Sequence, residues 1–219
     1  MGGPGKRPRA GAVANRRNGG PNLPSNTQSG RADRRRRELP GGDVPLSLER
    51  VAVHALSEAG IETAISAGAD LVVHGGFTNP ETLERMKVRG VRQLTTLWSL
   101  AGAGPEPAFR ALKAHLRSSV ELGLPLAFGT DAGVIPHGKN ARELSELSAI
   151  GLTPAEAIRA ATVEAARAAG LARQVGTLTP GAFADVIGVD GNPLEDLSVL
   201  ERVTFVMKGG LIVFGPGAR

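Results

Sequence analysis

The sequence predicts an α/β fold in which short apolar strands alternate with amphipathic helices, followed by a smaller β segment. From about residue 45, apolar runs of strand length recur, and stretches with helix-capping signals separate them. This alternation is typical of repeated β/α units on a parallel sheet. Beyond residue 176 the pattern changes to β-branched runs joined by Gly and Pro, which predicts a small β appendage.

The first two β/α units have clear boundaries. A strand over 51–55 precedes a helix over 57–68, which starts with Ser at the N-cap and ends with Gly. Serine accepts a hydrogen bond from the first turn, and glycine tolerates the left-handed conformation that commonly ends a helix. A strand over 71–75 then precedes a helix over 79–90, which opens with Asn-Pro-Glu and again ends with Gly.

Two further units and the β segment follow. We expect a strand over 91–97, a helix over 107–123 and a strand over 125–133. A helical stretch over 141–171 contains Thr-Pro-Ala-Glu at 153–156, which has the pattern of a capping box. The β segment contains runs at 177–190 and 203–213, in which Asp185 and Asp190 are expected to shape turns.

The N-terminal region, residues 1–44, is rich in Arg, Gly and Pro. Residues 1–42 have a net charge of +8, so the rest of the chain is acidic although the whole is +5. With few large apolar residues, this tail is predicted to be disordered. The run Arg34–Arg37 could bind nucleic acid through phosphate charge, but no aromatic residue lies among the arginines, and a solvated extension is the favoured interpretation.

Composition excludes several other classes of protein. The chain has no cysteine, which excludes disulfides and thiolate metal sites. No apolar run reaches the roughly 18 residues that a membrane span requires, and the basic start lacks the apolar core of a secretory signal. We therefore expect a cytoplasmic protein with no membrane partner.

Three metal-competent side chains fall at the ends of predicted strands. His54 ends the first strand, His74 the second and Asp131 the fourth. Ligands of parallel β/α folds bind at that edge of the sheet, so these side chains are expected to share one rim. Imidazole and carboxylate ligands suit a hydrolytic zinc-type site. His115 lies in the middle of a predicted helix and is expected to be a surface residue.

The order of these motifs resembles the amidohydrolase superfamily, and within it the imidazolonepropionase-like and prolidase-like members. The resemblance covers about residues 50–214 and is carried, in chain order, by VAVHA, DLVVHGG, PLAFGTDAGVIPHGKNARELSEL, GLTPAEAIRAAT, VGTLTPGAFADVIGVDGNPLEDLSVL and VTFVMKGG. It implies that residues 45–172 form part of a (β/α)8 barrel, about its strands five to eight. Residues 173–219 would then contribute a segment to a composite β-sandwich.

The resemblance also implies roles for individual residues. His54 and His74 match metal ligands on the fifth and sixth barrel strands, and Asp131 matches an aspartate that touches metal and acts as general base. His137 matches a position near the substrate, where it either orients a substrate group or braces its loop. The cofactor would be one or two divalent metal ions, with zinc the first expectation, and the reaction hydrolysis of an amide, lactam or Xaa-Pro-like dipeptide bond.

Several features of the family are absent from this sequence. No His-x-His pair precedes His54, and the tail holds a single lysine, Lys6, where the family supplies a bridging lysine from a strand. Leu56 stands where many relatives have a second histidine. Three interpretations remain open: a truncated gene product, a half-barrel that associates with itself or with a complementary N-terminal half, or a misassigned start. A catalytically inactive fragment is the alternative to an enzyme.

Overall fold

A computed structural model describes residues 50–101 and 105–218. The predicted disorder of residues 1–44 lies outside this part of the chain. The described residues form two sheets and their associated helices. In chain order the elements are β1 (Ala52–Ala55), α1 (Glu58–Ser66), β2 (Leu71–His74), α2 (Pro80–Arg89), β3 (Arg92–Thr95), α3 (Leu97–Leu100), α4 (Glu106–Glu121), β4 (Leu126–Phe128), α5 (Arg142–Ala149), α6 (Pro154–Arg159), α7 (Ala165–Ala168), β5 (Val186–Val189), β6 (Val203–Lys208) and β7 (Leu211–Phe214).

The larger sheet is parallel throughout, with the strand order β1-β2-β3-β4, as the β/α alternation predicts. The capping predictions for its first two helices are confirmed. The Ser57 side chain accepts a hydrogen bond from the backbone of α1, and Asn79 does the same for α2. Gly68 and Gly90 follow these helices with φ values of 77° and 69°, in the left-handed region.

Helices pack on both faces of this sheet. On one face, Val72 contacts a buried cluster from α1 and α2, and Leu126 contacts another from α4 and α5. Val73, Leu94 and Ala127 point to the opposite face because they alternate with those residues and are in register with one another. There they pack in a cluster with Ala168 of α7. On this second face Leu71 and Ala127 are buried, whereas Val73 and Leu94 are half-buried.

The sequence placed two strand ends too late. The strand expected over 125–133 ends at Phe128, and the one expected over 91–97 ends at Thr95, after which the short helix α3 begins. Gly129 marks the first change, since a Cβ there would lie 2.1 Å from Leu94 Cδ2. Only glycine fits at that point, where its N–H still donates to the Thr95 carbonyl at 2.9 Å before the chain leaves the sheet.

The stretch expected to be helical over 141–171 contains the helices α5, α6 and α7. After α5, Thr153 and Glu156 form the predicted capping box and start α6. A π-helical turn over Ala160–Glu164 then joins α6 to α7. Thr162 contributes to it, because its hydroxyl donates a 2.7 Å hydrogen bond to the Ile158 carbonyl.

The second sheet is antiparallel, with the strand order β5-β6-β7. Asp185 shapes its β6–β7 turn as predicted, because its carboxylate accepts the Gly209 N–H at 2.7 Å and pairs with Lys208. These bonds lower the pKa of Asp185. A 3-10 helix over Leu197–Glu201 connects β5 to β6 and packs on α5 through Leu197.

Among the described helices, none is long and apolar enough to cross a membrane.

Candidate metal centre

The structure brings two of the predicted site residues together at the carboxyl edge of the parallel sheet. His54 is the third residue of β1, and His74 is the last residue of β2. Their rings meet edge to face with centroids 4.5 Å apart. His54 Nδ1 lies 2.8 Å from His74 Nε2. Parallel pairing of adjacent strands thus makes neighbours of two residues that are far apart in sequence.

The backbone at His74 is held in an unusual conformation. His74 has a φ of 70° and Gly75 a φ of 63°, so β2 ends in two consecutive left-handed residues. The buried Gln93 side chain braces this turn, because its Nε2 donates to the His74 carbonyl at 3.3 Å and to the Gly75 carbonyl at 2.6 Å. A Cβ on Gly75 would lie 2.4 Å from the same nitrogen, so only glycine fits.

The second ring nitrogen of His74 is also engaged. Nδ1 lies 2.6 Å from the Thr96 hydroxyl, in the turn that follows β3. His74 is 4 % exposed, and this burial lowers its pKa to about 4. Repulsion from His54 acts in the same direction, whereas Asp131 opposes it. His74 is therefore neutral at pH 7, as a histidine ligand must be.

The chemistry and placement of the two imidazoles fit a divalent metal. At zinc–nitrogen distances of about 2.0–2.1 Å, neighbouring ligand nitrogens of a tetrahedral site are about 3.3 Å apart. The observed gap of 2.8 Å between the facing nitrogens needs only a small opening to reach that separation. Within residues 50–101 and 105–218, however, no group of three or more His, Asp or Glu side chains is close enough to hold a metal. The described chain presents two imidazoles that could serve as ligands and a nearby acid.

Asp131 is that acid, and it lies in the loop after β4 rather than at the strand's end. The cause is the early end of β4, which leaves Asp131 three residues beyond Phe128. It is exposed and has a φ of 52°. Its carbonyl accepts the Val134 N–H at 3.0 Å in a tight turn. It still acts on His74 electrostatically, as the effect on the pKa of that histidine shows.

His137 lies farther along the same loop, and its side chain is exposed. Asn140 braces the loop around it, because its Oδ1 accepts the Gly138 N–H at 3.2 Å and its Nδ2 donates to Thr130 Oγ1 at 3.1 Å. The hydrogen bonds that brace this loop thus come from Asn140.

The expectation that His115 is a surface residue is wrong. Its side chain is half-buried, and Nδ1 lies 3.2 Å from the Thr78 carbonyl. Its ring also packs edge-on against Phe77, with centroids 5.7 Å apart. His115 lies on the α4 face that contacts the loop after β2, so it has a packing role.

The sequence did not point to Glu143, which is fully buried near the candidate site. Its carboxylate accepts the Leu97 N–H at 2.8 Å and the Trp98 N–H at 2.7 Å, at the start of α3. Burial raises its pKa to about 7, although both hydrogen bonds act to lower it. A usable signal did exist: Glu143 is in line with Leu147 and Ile150 on the inner face of α5, where a charged residue is unexpected.

Comparison with known proteins identifies the family of this chain. The model of the amidohydrolase family matches residues 50–213. Ochratoxinase of Aspergillus niger is 36% identical over 186 residues, which cover 76% of this chain and 38% of that protein. Imidazolonepropionase of Shouchella clausii is 29% identical and aligns with 68% of this chain and 35% of that protein. The crystal structure of a Xaa-Pro dipeptidase with bound methionine superimposes with a TM-score of 0.70 and 35% identity over 76% of this chain and 45% of that one.

The chain thus spans less than half the length of these relatives. The match nevertheless extends from β1 to β7 and includes both histidines, Asp131 and the small sheet. This protein belongs to the amidohydrolase family.

Proposed function

We propose that this chain contributes the His54, His74 and Asp131 part of a metal-dependent hydrolytic site that cleaves C–N bonds of amides, lactams or Xaa-Pro-like dipeptides. The approach of His54 Nδ1 to His74 Nε2 at 2.8 Å, at the carboxyl edge of the parallel sheet, carries the proposal. Without metal, this spacing allows an N–H···N hydrogen bond between the rings. A shared divalent ion, zinc in the first instance, would replace that bond by using a lone pair of each ring.

Each residue has a distinct role in the proposed reaction. His54 and His74 would hold the metal from adjacent strands. A bound divalent metal supplies a water whose pKa is lowered to about 7. Asp131, exposed at the same rim, would accept the proton of that water and return it to the leaving amine. His137, exposed in the braced loop, would orient a polar group of the substrate.

The substrate proposal rests on the named relatives. They include an ochratoxinase, an imidazolonepropionase and a Xaa-Pro dipeptidase. A small-molecule substrate would bind at the rim formed by the loops after β1, β2 and β4, where parallel β/α folds bind their ligands.

We further propose that the site is completed by another segment. The chain covers 38% of the ochratoxinase and 45% of the dipeptidase, and the described residues present no third ligand beside the histidine pair. The two outer strands of the parallel sheet, β1 and β4, each have one unpaired edge within that sheet. Exposed edges of this kind accept additional strands. A complementary N-terminal half or a second copy of the chain would supply them.

Zinc binding by the 219-residue chain tests the proposal. Isothermal titration should show stoichiometric binding that is lost in His54→Asn and retained in His115→Asn, a matched variant of a histidine outside the pair. Hydrolysis of Xaa-Pro dipeptides and N-acyl amino acids is then measured with and without a co-expressed N-terminal half of a relative. Asp131→Asn should lower turnover by about 100-fold or more. Equal zinc affinity in the wild type and His54→Asn, or full turnover in Asp131→Asn, would rule the assignment out.

A further inference from the structure

The turn after β3 carries no candidate metal ligand, but its residue Thr96 contacts His74, the more buried of the two candidate histidine ligands. Thr96 Oγ1 lies 2.6 Å from His74 Nδ1, and Thr96 is 3 % exposed. A neutral imidazole has one nitrogen that donates and one that accepts. If the threonine oxygen accepts a hydrogen bond from Nδ1–H, Nε2 is unprotonated and its lone pair faces His54. If the threonine hydroxyl donates to Nδ1 instead, Nε2 carries the ring proton and cannot bind metal.

The backbone next to Thr96 is hydrogen-bonded to a carboxylate that is distant in sequence. Glu143 accepts the N–H groups of Leu97 and Trp98, the two residues that directly follow Thr96. Helix α3 is only four residues long, so its intrahelical hydrogen bonds contribute little to holding this turn. Two hydrogen bonds to one buried carboxylate therefore hold this turn, together with the burial of the Leu97 side chain.

Glu143 also belongs to the segment that carries the other site residues. It lies in the first turn of α5, directly after the loop that contains Asp131 and His137. One carboxylate thus ties the loop after β4 to the turn after β3. Burying an ionisable group has a free-energy cost that an apolar residue would avoid, which favours a specific task for Glu143.

We propose that Glu143 is a positioning residue for the candidate metal ligand His74. It acts through Thr96, whose hydroxyl oxygen accepts a hydrogen bond from His74 Nδ1–H. This bond fixes the tautomer in which Nε2 is unprotonated. Gln93 donates a hydrogen bond to the His74 carbonyl, and Thr96 hydrogen-bonds the His74 ring. This inference rests on the proposed function for its purpose, but the tautomer and the coupling can be measured without any metal. Outer contacts of this kind commonly alter metal affinity by about 10- to 100-fold.

The test uses the metal-free 219-residue chain labelled with ¹⁵N-histidine. Long-range ¹H–¹⁵N spectra report which ring nitrogen of each histidine is protonated. The wild type should show His74 protonated at Nδ1. Thr96→Val, which removes the hydroxyl at nearly constant volume, should abolish that preference, and Thr96→Ser should keep it.

Glu143→Gln should disturb His74 in the same direction as Thr96→Val although Thr96 is intact. Glu156→Gln is the matched control, because Glu156 also accepts a backbone N–H at a helix start but lies at α6. If Glu143→Gln does not fold, Glu143→Met decides, since it removes both the buried charge and the acceptor. A folded Glu143 variant with unchanged His74 resonances overturns the inference, as does a wild type with His74 protonated at Nε2.

Zinc titration separates this inference from the proposed function. A wild type that has the Nδ1-protonated tautomer but binds no zinc would contradict the proposed function and leave the coupling intact. Zinc binding that is weakened about 10- to 100-fold in Thr96→Val and in Glu143→Gln, and unchanged in Glu156→Gln, supports both.

Discussion

The buried carboxylate of Glu143 should make a contribution to the free energy of unfolding that falls as the pH rises. Its pKa is about 7 in the folded state, against an ordinary value of 4.5. The folded state therefore retains a proton that the unfolded chain has already lost. A shift of this size corresponds to about 3 kcal/mol, fully present below pH 4.5 and lost as the pH passes through 7.

His74 contributes the opposite dependence in the metal-free protein. Its pKa is about 4 in the folded state, against 6.5 ordinarily, so the unfolded chain binds a proton that the folded state excludes. The free energy of unfolding then rises with pH between these values, also by about 3 kcal/mol in total. Between pH 4.5 and 6.5 the contributions of the two groups nearly cancel.

Substitution separates the two contributions. Urea denaturation of the metal-free chain, repeated from about pH 4 to pH 8, gives the free energy of unfolding. The difference between the wild type and Glu143→Gln should fall by about 3 kcal/mol between pH 4.5 and 7. His74→Asn is the complementary variant, and its stability should fall with pH over the same interval. A difference between the wild type and Glu143→Gln that is constant with pH would refute the reasoning.

The remaining predictions concern local backbone geometry. Gly75→Ala should lower the melting temperature more than Gly68→Ala, because both glycines have a positive φ but only the Cβ on Gly75 meets another atom, Gln93 Nε2 at 2.4 Å. Equal decreases in the melting temperature of the two variants would show that the Gln93 side chain can move aside at little cost. Thr153→Ala should cost about 1 kcal/mol by removing the capping box of α6. An unchanged unfolding midpoint in urea would contradict that role.

The sequence was informative where local signals decide the structure. Ser57, Asn79 and Thr153 all cap helices where the pattern predicts, since a short polar side chain before an amphipathic run has few other uses. His54 and His74 were predicted to share a rim because both end strands of one parallel sheet. The structure places them at 2.8 Å, a separation that strand spacing alone does not determine.

The sequence failed where a tertiary contact decides. The fourth strand looks continuous to Asp131, but it ends at Phe128, just before Gly129, against which Leu94 of the adjacent strand packs so closely that no side chain fits. His115 was expected at the surface as a polar residue in the middle of α4, yet its ring packs against Phe77. Neither partner can be recognised from the local pattern, because each lies more than 30 residues away.

The same limit explains why the residues that support the candidate site were harder to find than its candidate ligands. A candidate ligand is recognised by its own chemistry, since imidazole is a common metal ligand. Thr96, Gln93 and Glu143 are common residue types, and their roles arise only from the atoms they reach: a ring nitrogen, two carbonyls and two N–H groups. Of the three, only Glu143 can be noticed in the sequence, because a charged residue within an apolar helical stripe must either be exposed to solvent or find hydrogen-bond partners. An acid in such a stripe directly after a candidate catalytic loop is therefore a reason to look for the backbone that it holds.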